Sequence, residues 1–304
     1  MNYNSAVEPK HLGGGVVLFE RVFDIDWDWA FTFAQNSIEH ERQMMYTPAI
    51  HPETGENCYI NNSGYYFSKE SIDEMPYRAS LIHQNPDLQV VKTLSFIDQV
   101  KYHCLIKYCE LFPIAFKSIW WHSRGHLTEY RNGAHMGPHA DIQTDYIYGL
   151  PHPRGQLAMK NVVATIAYFN DSVDSEKELD GKNFLGGTHR FTYLDINYNP
   201  KKGDIIMFPS DYIAAHEIKP TISGSRYAYL GWYCHGTPNK ELGEHVADPL
   251  QDPTAVIREV NVYMPFFRED YFNYIKSKGY SKDTYQYIVA DKLESYNFEY
   301  KADA

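Results

Sequence analysis

The sequence predicts an α+β fold with a mainly β core: a double-stranded β-helix, or jelly-roll, barrel supported by N-terminal helices and followed by C-terminal helices. Three observations lead there. Apolar residues in the first third recur at helical spacing. From Ser118 the period shortens to strand-like runs of β-branched and aromatic residues. Gly-rich turns punctuate those runs, and short strands joined this way favour a closed double sheet.

The elements follow in order. Val16-Val17-Leu18-Phe19 is a short apolar run of strand character. A helix is expected from about Asp26, with Trp27, Phe31, Ala34 and Ile38 on one face. Residues 47–85 carry Pro48, Pro52, Gly55, Gly64 and Pro76, and read as loop with short strands. Asp87–Leu111 reads as a longer helix with a stripe of Val91, Leu94, Ile97, Lys101, Cys104 and Tyr108, ended before Pro113. Strands are then expected at Ile119–Ser123, His126–Arg131, Val162–Phe169, Asp204–Phe208, Ile213–Ile218 and Arg226–Cys234. Asn132-Gly133, Gly186-Gly187, Lys202-Gly203 and Ser223-Gly224 supply the turns. Thr237–Thr254, with three prolines, reads as a loop leaving the barrel. Helices are expected at Glu269–Lys278, stopped by Gly279, and from the N-cap Ser281 to about Tyr296. No repeat or linker divides the chain. We expect one catalytic domain over 1–304: support in 1–117, the barrel in 118–235, and a loop with helices in 236–304.

Composition narrows the classes. In 304 residues, 43% hydrophobic content suffices for a sizeable core, and 26 Tyr with five Trp suit β-structure and aromatic-lined pockets. A formal net charge of −11 argues against general nucleic-acid binding, which needs excess Lys and Arg to neutralise phosphates. Cys58, Cys104, Cys109 and Cys234 form no CxxC pair and no disulfide framework, which fits a reducing compartment. Met1–Gly15 lacks a basic segment followed by an apolar run, and no stretch approaches the ~18 apolar residues of a membrane span. The expectation is a soluble cytoplasmic protein without a membrane partner.

One constellation carries chemistry: His139-Ala140-Asp141, then His216, then Arg226 ten residues on. Alternate residues of a strand share a face, so a His-x-Asp pair presents imidazole and carboxylate side by side. With His216 they would make a 2-His-1-carboxylate set, which leaves three positions open on Fe(II) for a bidentate cosubstrate and O2. Arg226 could grip a carboxylate in two-pronged fashion. Taken alone, His-x-Asp is equally a solvated strand pair, and His135 with His139 could be an i,i+4 zinc pair on a helix. Gly133, Gly137 and Pro138 speak against that helix.

The surrounding order adds to this. Tyr130-x-x-Gly133 precedes the pair, and Tyr168-Phe169-Asn170 ends an apolar strand. Phe184-Leu185-Gly186-Gly187-Thr188 and Lys202-Gly203-Asp204 follow, then His216, Pro220, Gly224, Arg226-Tyr227 and Trp232. Over roughly residues 118–235 this succession resembles the Fe(II)/2-oxoglutarate-dependent dioxygenases, and among them the prolyl 4-hydroxylase-like branch. The resemblance implies His139, Asp141 and His216 as catalytic iron ligands. It implies Arg226 on the distal carboxylate of 2-oxoglutarate, with Tyr130, Tyr168 and Trp232 lining the cosubstrate site. Tyr130 and Tyr168 could equally be core aromatics. The implied cofactors are Fe(II), with 2-oxoglutarate as cosubstrate and O2, and ascorbate as a candidate auxiliary.

Two positions depart from the branch. Met136 stands where many prolyl hydroxylases have tyrosine, so Tyr130 or Thr165 would have to replace that hydroxyl. Phe169 replaces a usual leucine, an apolar exchange. Gln143–Lys160 could be a lid or an ordinary surface excursion. The implied activity is hydroxylation of a prolyl residue in a peptide or protein, with release of succinate and CO2. The alternatives are the same chemistry on a free amino acid or amide metabolite, a cupin-like metalloenzyme without 2-oxoglutarate, and a non-catalytic jelly-roll module.

Overall fold

One long strand, Thr221–His235, organises the molecule, because it has a paired neighbour along its whole length. The computed structural model describes residues 1–73, 75, 77–79, 88–119, 121–123, 125–142, 144–146, 158–235, 260–263 and 277. The large sheet runs in the order Ser172–Val173, Phe184–Gly186, Thr221–His235, Ala158–Tyr168, Ile205–Pro209, Val16–Phe19, Lys10–Gly13. His126–Arg131 also pairs with the long strand, antiparallel. The small sheet has four strands, in the order Met136–His139, His216–Ile218, His189–Phe191, Ile196–Tyr198.

The two sheets close on each other as the expected jelly-roll barrel. Their shared interior mixes Val16, Leu18, Ala164, Ile166, Ile206, Phe208, Ala228 and Trp232 of the large sheet with Phe191 and Tyr198 of the small one. The large sheet's other face, with Val17, Phe19, Val163, Ala167, Ile205, Met207, Tyr227 and Tyr229, packs on the helices. Val16–Phe19 and Ile205–Phe208 are therefore buried on both faces, and read in the sequence as continuous apolar runs.

Two helices supply that backing. Trp27–Met45 starts where the Asp26 side chain accepts the Trp29 N–H at 3.0 Å, and buries Ala30, Ala34 and Ile38. Leu88–Leu111 buries Leu94, Ile97, Lys101, Cys104 and Tyr108 along the expected stripe. Lys101 is tolerated there because its ammonium sits 3.8 Å over the Tyr229 ring and 3.8 Å from Asp98 Oδ1.

Several expectations need correction. The long helix ends at Leu111, before Pro113 as expected, but Pro113 also opens a short helix that was not expected, Pro113–Ser118, at the position where a missing N–H costs least. Residues 47–85 include an antiparallel meander, Tyr46–Ile50, Asn57–Asn61 and Tyr66–Phe67, followed by the helix Lys69–Asp73. Strand Tyr77–Ala79 then joins His126–Arg131. The strand expected from Ile119 begins at Trp121. The strand expected from Ile213 begins at His216, after a 3-10 turn, Tyr212–Ala214, capped by Asp211. Ser223-Gly224 is no interstrand turn. Gly224, at φ +78°, lies inside the long strand, where a Cβ would come 2.5 Å from the Asn183 carbonyl oxygen. Thr144–Tyr146 pairs with Ala158–Tyr168, and the intervening residues of the candidate lid lie outside the described residues. So do the loop expected at Thr237–Thr254 and, apart from Ser277, the two C-terminal helices. All four cysteines are buried, and none is in a disulfide among the described residues. No helix among the described residues is long and apolar enough to cross a membrane.

Candidate active site

The small sheet brings two of the expected residues face to face. Met136–His139 and His216–Ile218 run antiparallel with His139 opposite His216, their rings 4.3 Å apart. The register shifts between Met136 and His139, across Gly137-Pro138, as expected where a proline cannot donate to the ladder. Asp141 lies two residues past the strand end, rather than on the same strand face as anticipated. Its Oδ1 is 3.7 Å from His139 Nε2 and its Oδ2 4.0 Å from His216 Nε2. One ligand atom from each of the three lies within 4.8 Å of the others.

Neighbouring groups aim these atoms. His139 Nδ1 is 2.8 Å from the Gly137 carbonyl, and His216 Nδ1 is 3.1 Å from that of Ala214. A carbonyl only accepts, so each Nδ1 carries a proton and each Nε2 keeps a lone pair for a metal. The 3-10 turn before His216 supplies one of these carbonyls. Burial pushes the His216 pKa down to about 4, Asp141 opposing, so the ring is neutral near pH 7. Trp232 Nε1–H donates to Asp141 Oδ2 at 3.1 Å, and Asn161 Nδ2–H donates to the Asp141 carbonyl at 3.0 Å. Trp232 is therefore more than the pocket wall expected of it: it fixes the carboxylate.

The large sheet contributes a cation. Arg226 is 2% exposed and sits opposite Tyr130 in register. Its guanidinium lies 5.1 Å from the Tyr130 ring centroid and 5.2 Å from that of Tyr168. Arg226 Nη2 is 3.4 Å from Tyr168 Oη, while its Nε has no partner. Among the described residues no carboxylate forms an ion pair with it. Burial pushes the Tyr168 pKa up to about 12, partly offset by Arg226, so the phenol keeps its proton. The Gly-Gly turn makes room: a Cβ on Gly187, at φ +61°, would sit 3.3 Å from Arg226 Cδ and 3.2 Å from Thr221 Oγ1.

His139, Asp141, His216, Arg226, Tyr130 and Trp232 line one cavity, and Tyr168 adjoins it through Arg226. Ile166, Ile218, Ala228 and Leu230 form its apolar wall. Tyr130 Oη lies 3.7 Å from Met136 Sδ. Thr165 is buried, its hydroxyl without a partner. Two imidazole nitrogens and one carboxylate on one side of a metal suit Fe(II) with open positions. A buried guanidinium lacking a counter-carboxylate suits a dicarboxylate that bridges the two. The residues fit both groups.

Sequence reasoning missed His189. It is fully buried, with Nδ1 3.0 Å from Tyr168 Oη and its ring 4.9 Å from that of His216. The available signal was its place just after Gly186-Gly187-Thr188, alternating with an inward-facing Phe191.

Residues 125–234 match the 2OG-Fe(II) oxygenase superfamily, a span that contains every residue of this site. No curated protein matches the chain. Similar solved structures include a viral collagen prolyl hydroxylase from Paramecium Bursaria Chlorella virus-1, at 16% identity and TM-score 0.36, covering 74% of this chain and 98% of that one. A Pseudomonas putida prolyl-4-hydroxylase has 15% identity, TM-score 0.40 and coverage of 73% and 93%. A Trichoplax adhaerens prolyl hydroxylase, solved with a hypoxia inducible factor peptide fragment, has 14% identity, TM-score 0.44 and coverage of 73% and 84%. The two imidazoles, the carboxylate and the buried guanidinium gathered in one cavity all lie within the span, residues 125–234, that is similar to the 2OG-Fe(II) oxygenase superfamily.

Proposed function

We propose that this oxygenase belongs to the prolyl 4-hydroxylase-like branch and hydroxylates a prolyl residue in a peptide or protein. One observation carries the reading: the His139, Asp141 and His216 cluster shares its cavity with Arg226, a buried cation with no carboxylate paired to it among the described residues. His139 and His216 Nε2 and the Asp141 carboxylate would hold Fe(II). Arg226, with Tyr130 and Tyr168, would hold the distal carboxylate of 2-oxoglutarate. With these groups bound, the chemistry supplied is hydroxylation of a C–H bond by O2, coupled to conversion of 2-oxoglutarate to succinate and CO2.

The chain's own residues orient and shelter that chemistry. The Gly137 and Ala214 carbonyls set the histidine tautomers, and Trp232 holds the Asp141 oxygen that faces His216. Ile166, Ile218, Ala228 and Leu230 keep water from the reacting carbon. The prolyl substrate is supported by the likeness in Tyr130-x-x-Gly133, Tyr168-Phe169-Asn170 and Trp232. Proline is a rigid apolar ring that packs on aromatic faces, and an extended peptide presents it ready for docking. We take 1–304 as one catalytic unit.

The test is aerobic incubation of Fe(II)-loaded protein with 2-oxoglutarate and a panel of proline-containing peptides. Succinate release with a gain of one oxygen on proline, seen by mass spectrometry, is the expected result. Turnover stimulated by free amino acids or small amides, and by no proline peptide, would overturn the substrate.

A further inference from the structure

His189 stands in the barrel interior behind Arg226, in a place that an apolar side chain could fill. Its ring stacks on Phe191 at 4.6 Å and meets Phe208 edge-on at 5.5 Å. Leucine or phenylalanine would satisfy such surroundings without burying two ring nitrogens. Yet Nδ1 lies 3.0 Å from Tyr168 Oη, and Nε2 is buried with no partner. A second ring proton would put a charge among these apolar rings with nothing among the described residues to accept it, so the ring carries one proton.

That proton has two possible seats. On Nε2 it would be a buried N–H with nothing to accept it, and Nδ1 would take up the Tyr168 hydroxyl proton. On Nδ1 it is donated to Tyr168 Oη, and only an idle lone pair remains at Nε2. The second arrangement avoids an orphaned donor. Arg226 Nη2 donates to the same oxygen at 3.4 Å. With both lone pairs of Tyr168 Oη engaged, its O–H is free to point at an acceptor beside Arg226.

We propose that His189 is a positioning residue for the cosubstrate: its Nδ1–H, donated to Tyr168, turns the tyrosine hydroxyl into a hydrogen-bond donor for the carboxylate that Arg226 holds. The inference rests on the reading of Arg226 as the carboxylate anchor. It assigns a role to a side chain that never touches the cosubstrate, acting through Tyr168 alone.

The experiment titrates 2-oxoglutarate into Fe(II)-loaded protein without O2, by calorimetry, so that binding is read and not turnover. The variants are His189→Leu, His189→Asn, Tyr168→Phe, the double His189→Leu/Tyr168→Phe, and Arg226→Gln. Loss of one buried hydrogen bond predicts that His189→Leu weakens 2-oxoglutarate about five- to tenfold. His189→Asn, whose amide N–H can take the place of Nδ1–H, should stay within about twofold of wild type. Tyr168→Phe should weaken binding at least as much as His189→Leu, and the double variant no more than Tyr168→Phe alone, because the effect passes through one hydroxyl. Unchanged affinity in His189→Leu would overturn the proposal, as would an equal loss from that substitution with and without the Tyr168 hydroxyl. Should His189→Leu not fold, His189→Asn decides: a loss matching that of Tyr168→Phe overturns it. The anchor reading fails by a different sign, when Arg226→Gln binds 2-oxoglutarate as wild type does or wild type does not bind it.

Discussion

Two buried ionic centres lie back to back on the paired strands His126–Arg131 and Thr221–His235, and they are finished differently. On the helix-backed face, Glu129 accepts from Arg42 at 3.1 Å, from Arg131 at 3.1 Å and from the Tyr227 hydroxyl at 2.7 Å. One residue along each strand, on the barrel face, Arg226 lies between two tyrosine rings, and among the described residues its Nε has no partner and no carboxylate pairs with it. Both centres carry a comparable burial penalty. The first is answered inside the chain and ties the N-terminal helix to the barrel. The second is left open, and an open buried charge points to a ligand of opposite sign.

The largest effect should come from the metal side of the open face. His216→Ala removes one of the three clustered ligand atoms, and turnover of 2-oxoglutarate, followed as succinate, should vanish. Activity at the wild-type level would remove His216 from the ligand set.

The pair Glu129→Ala and Arg226→Gln tests the division between faces directly. Glu129→Ala removes the buried carboxylate that Arg42, Arg131 and the Tyr227 hydroxyl share, leaving the two guanidinium groups with Glu39 and Asp73, so about 2–4 kcal/mol of stability should go. Thermal unfolding should show this as a fall of roughly 4–15 °C, with 2-oxoglutarate affinity intact below the transition. Arg226→Gln should do the reverse. A charge-assisted pair is worth roughly 1.5–3 kcal/mol, so 2-oxoglutarate should bind at least about tenfold more weakly with little change in Tm. If both variants moved both quantities alike, the two faces would not differ in the way their contacts imply.

The smallest effect sharpens the closed face. Burial pushes the Lys101 pKa down to about 8 from 10.5, Asp98 opposing. Below pH 8 the folded protein carries the full penalty of a charged, buried ammonium. Between pH 8 and 10.5 the unfolded chain still binds that proton while the folded one releases it, so this group's contribution to stability improves as pH rises. Lys101→Met should therefore change stability by no more than about 1–2 kcal/mol near pH 7, in the stabilising direction. That difference from wild type should shrink between pH 8 and 10. Burial pushes the Cys104 and Cys109 thiols up, which acts oppositely above pH 9, but both proteins share it and the difference cancels it. A difference independent of pH would show that Lys101 is not sheltered.

The sequence announced what rests on periodicity and order. Val16–Phe19, the helix from about Asp26 and the Leu94 to Tyr108 stripe follow from burial patterns, and the site's histidines, aspartate and arginine stand at recognisable spacings. What escaped depends on three-dimensional partners. Ile213 looks like strand, yet Asp211 caps a 3-10 turn there, and the turn's Ala214 carbonyl orients His216. Ser223-Gly224 looks like a turn, yet Gly224 lets a single strand continue past Asn183. For His189 the place after Gly186-Gly187-Thr188 marks only an inward-facing position, since its meaning lies in the hydroxyl it meets and the nitrogen left unmet among the described residues.

The unbroken pairing of Thr221–His235 has a mechanical consequence. A strand flanked along its length holds Arg226 in place, and the small sheet packed across the shared interior holds the imidazole pair, so the separation between them works as a gauge. A 2-oxo diacid one carbon shorter than 2-oxoglutarate would leave one end of the gauge unmet, and one a carbon longer would have to buckle. A single methylene is worth about 1–3 kcal/mol in such a pocket, so chain length alone should separate these acids by about 10- to 200-fold.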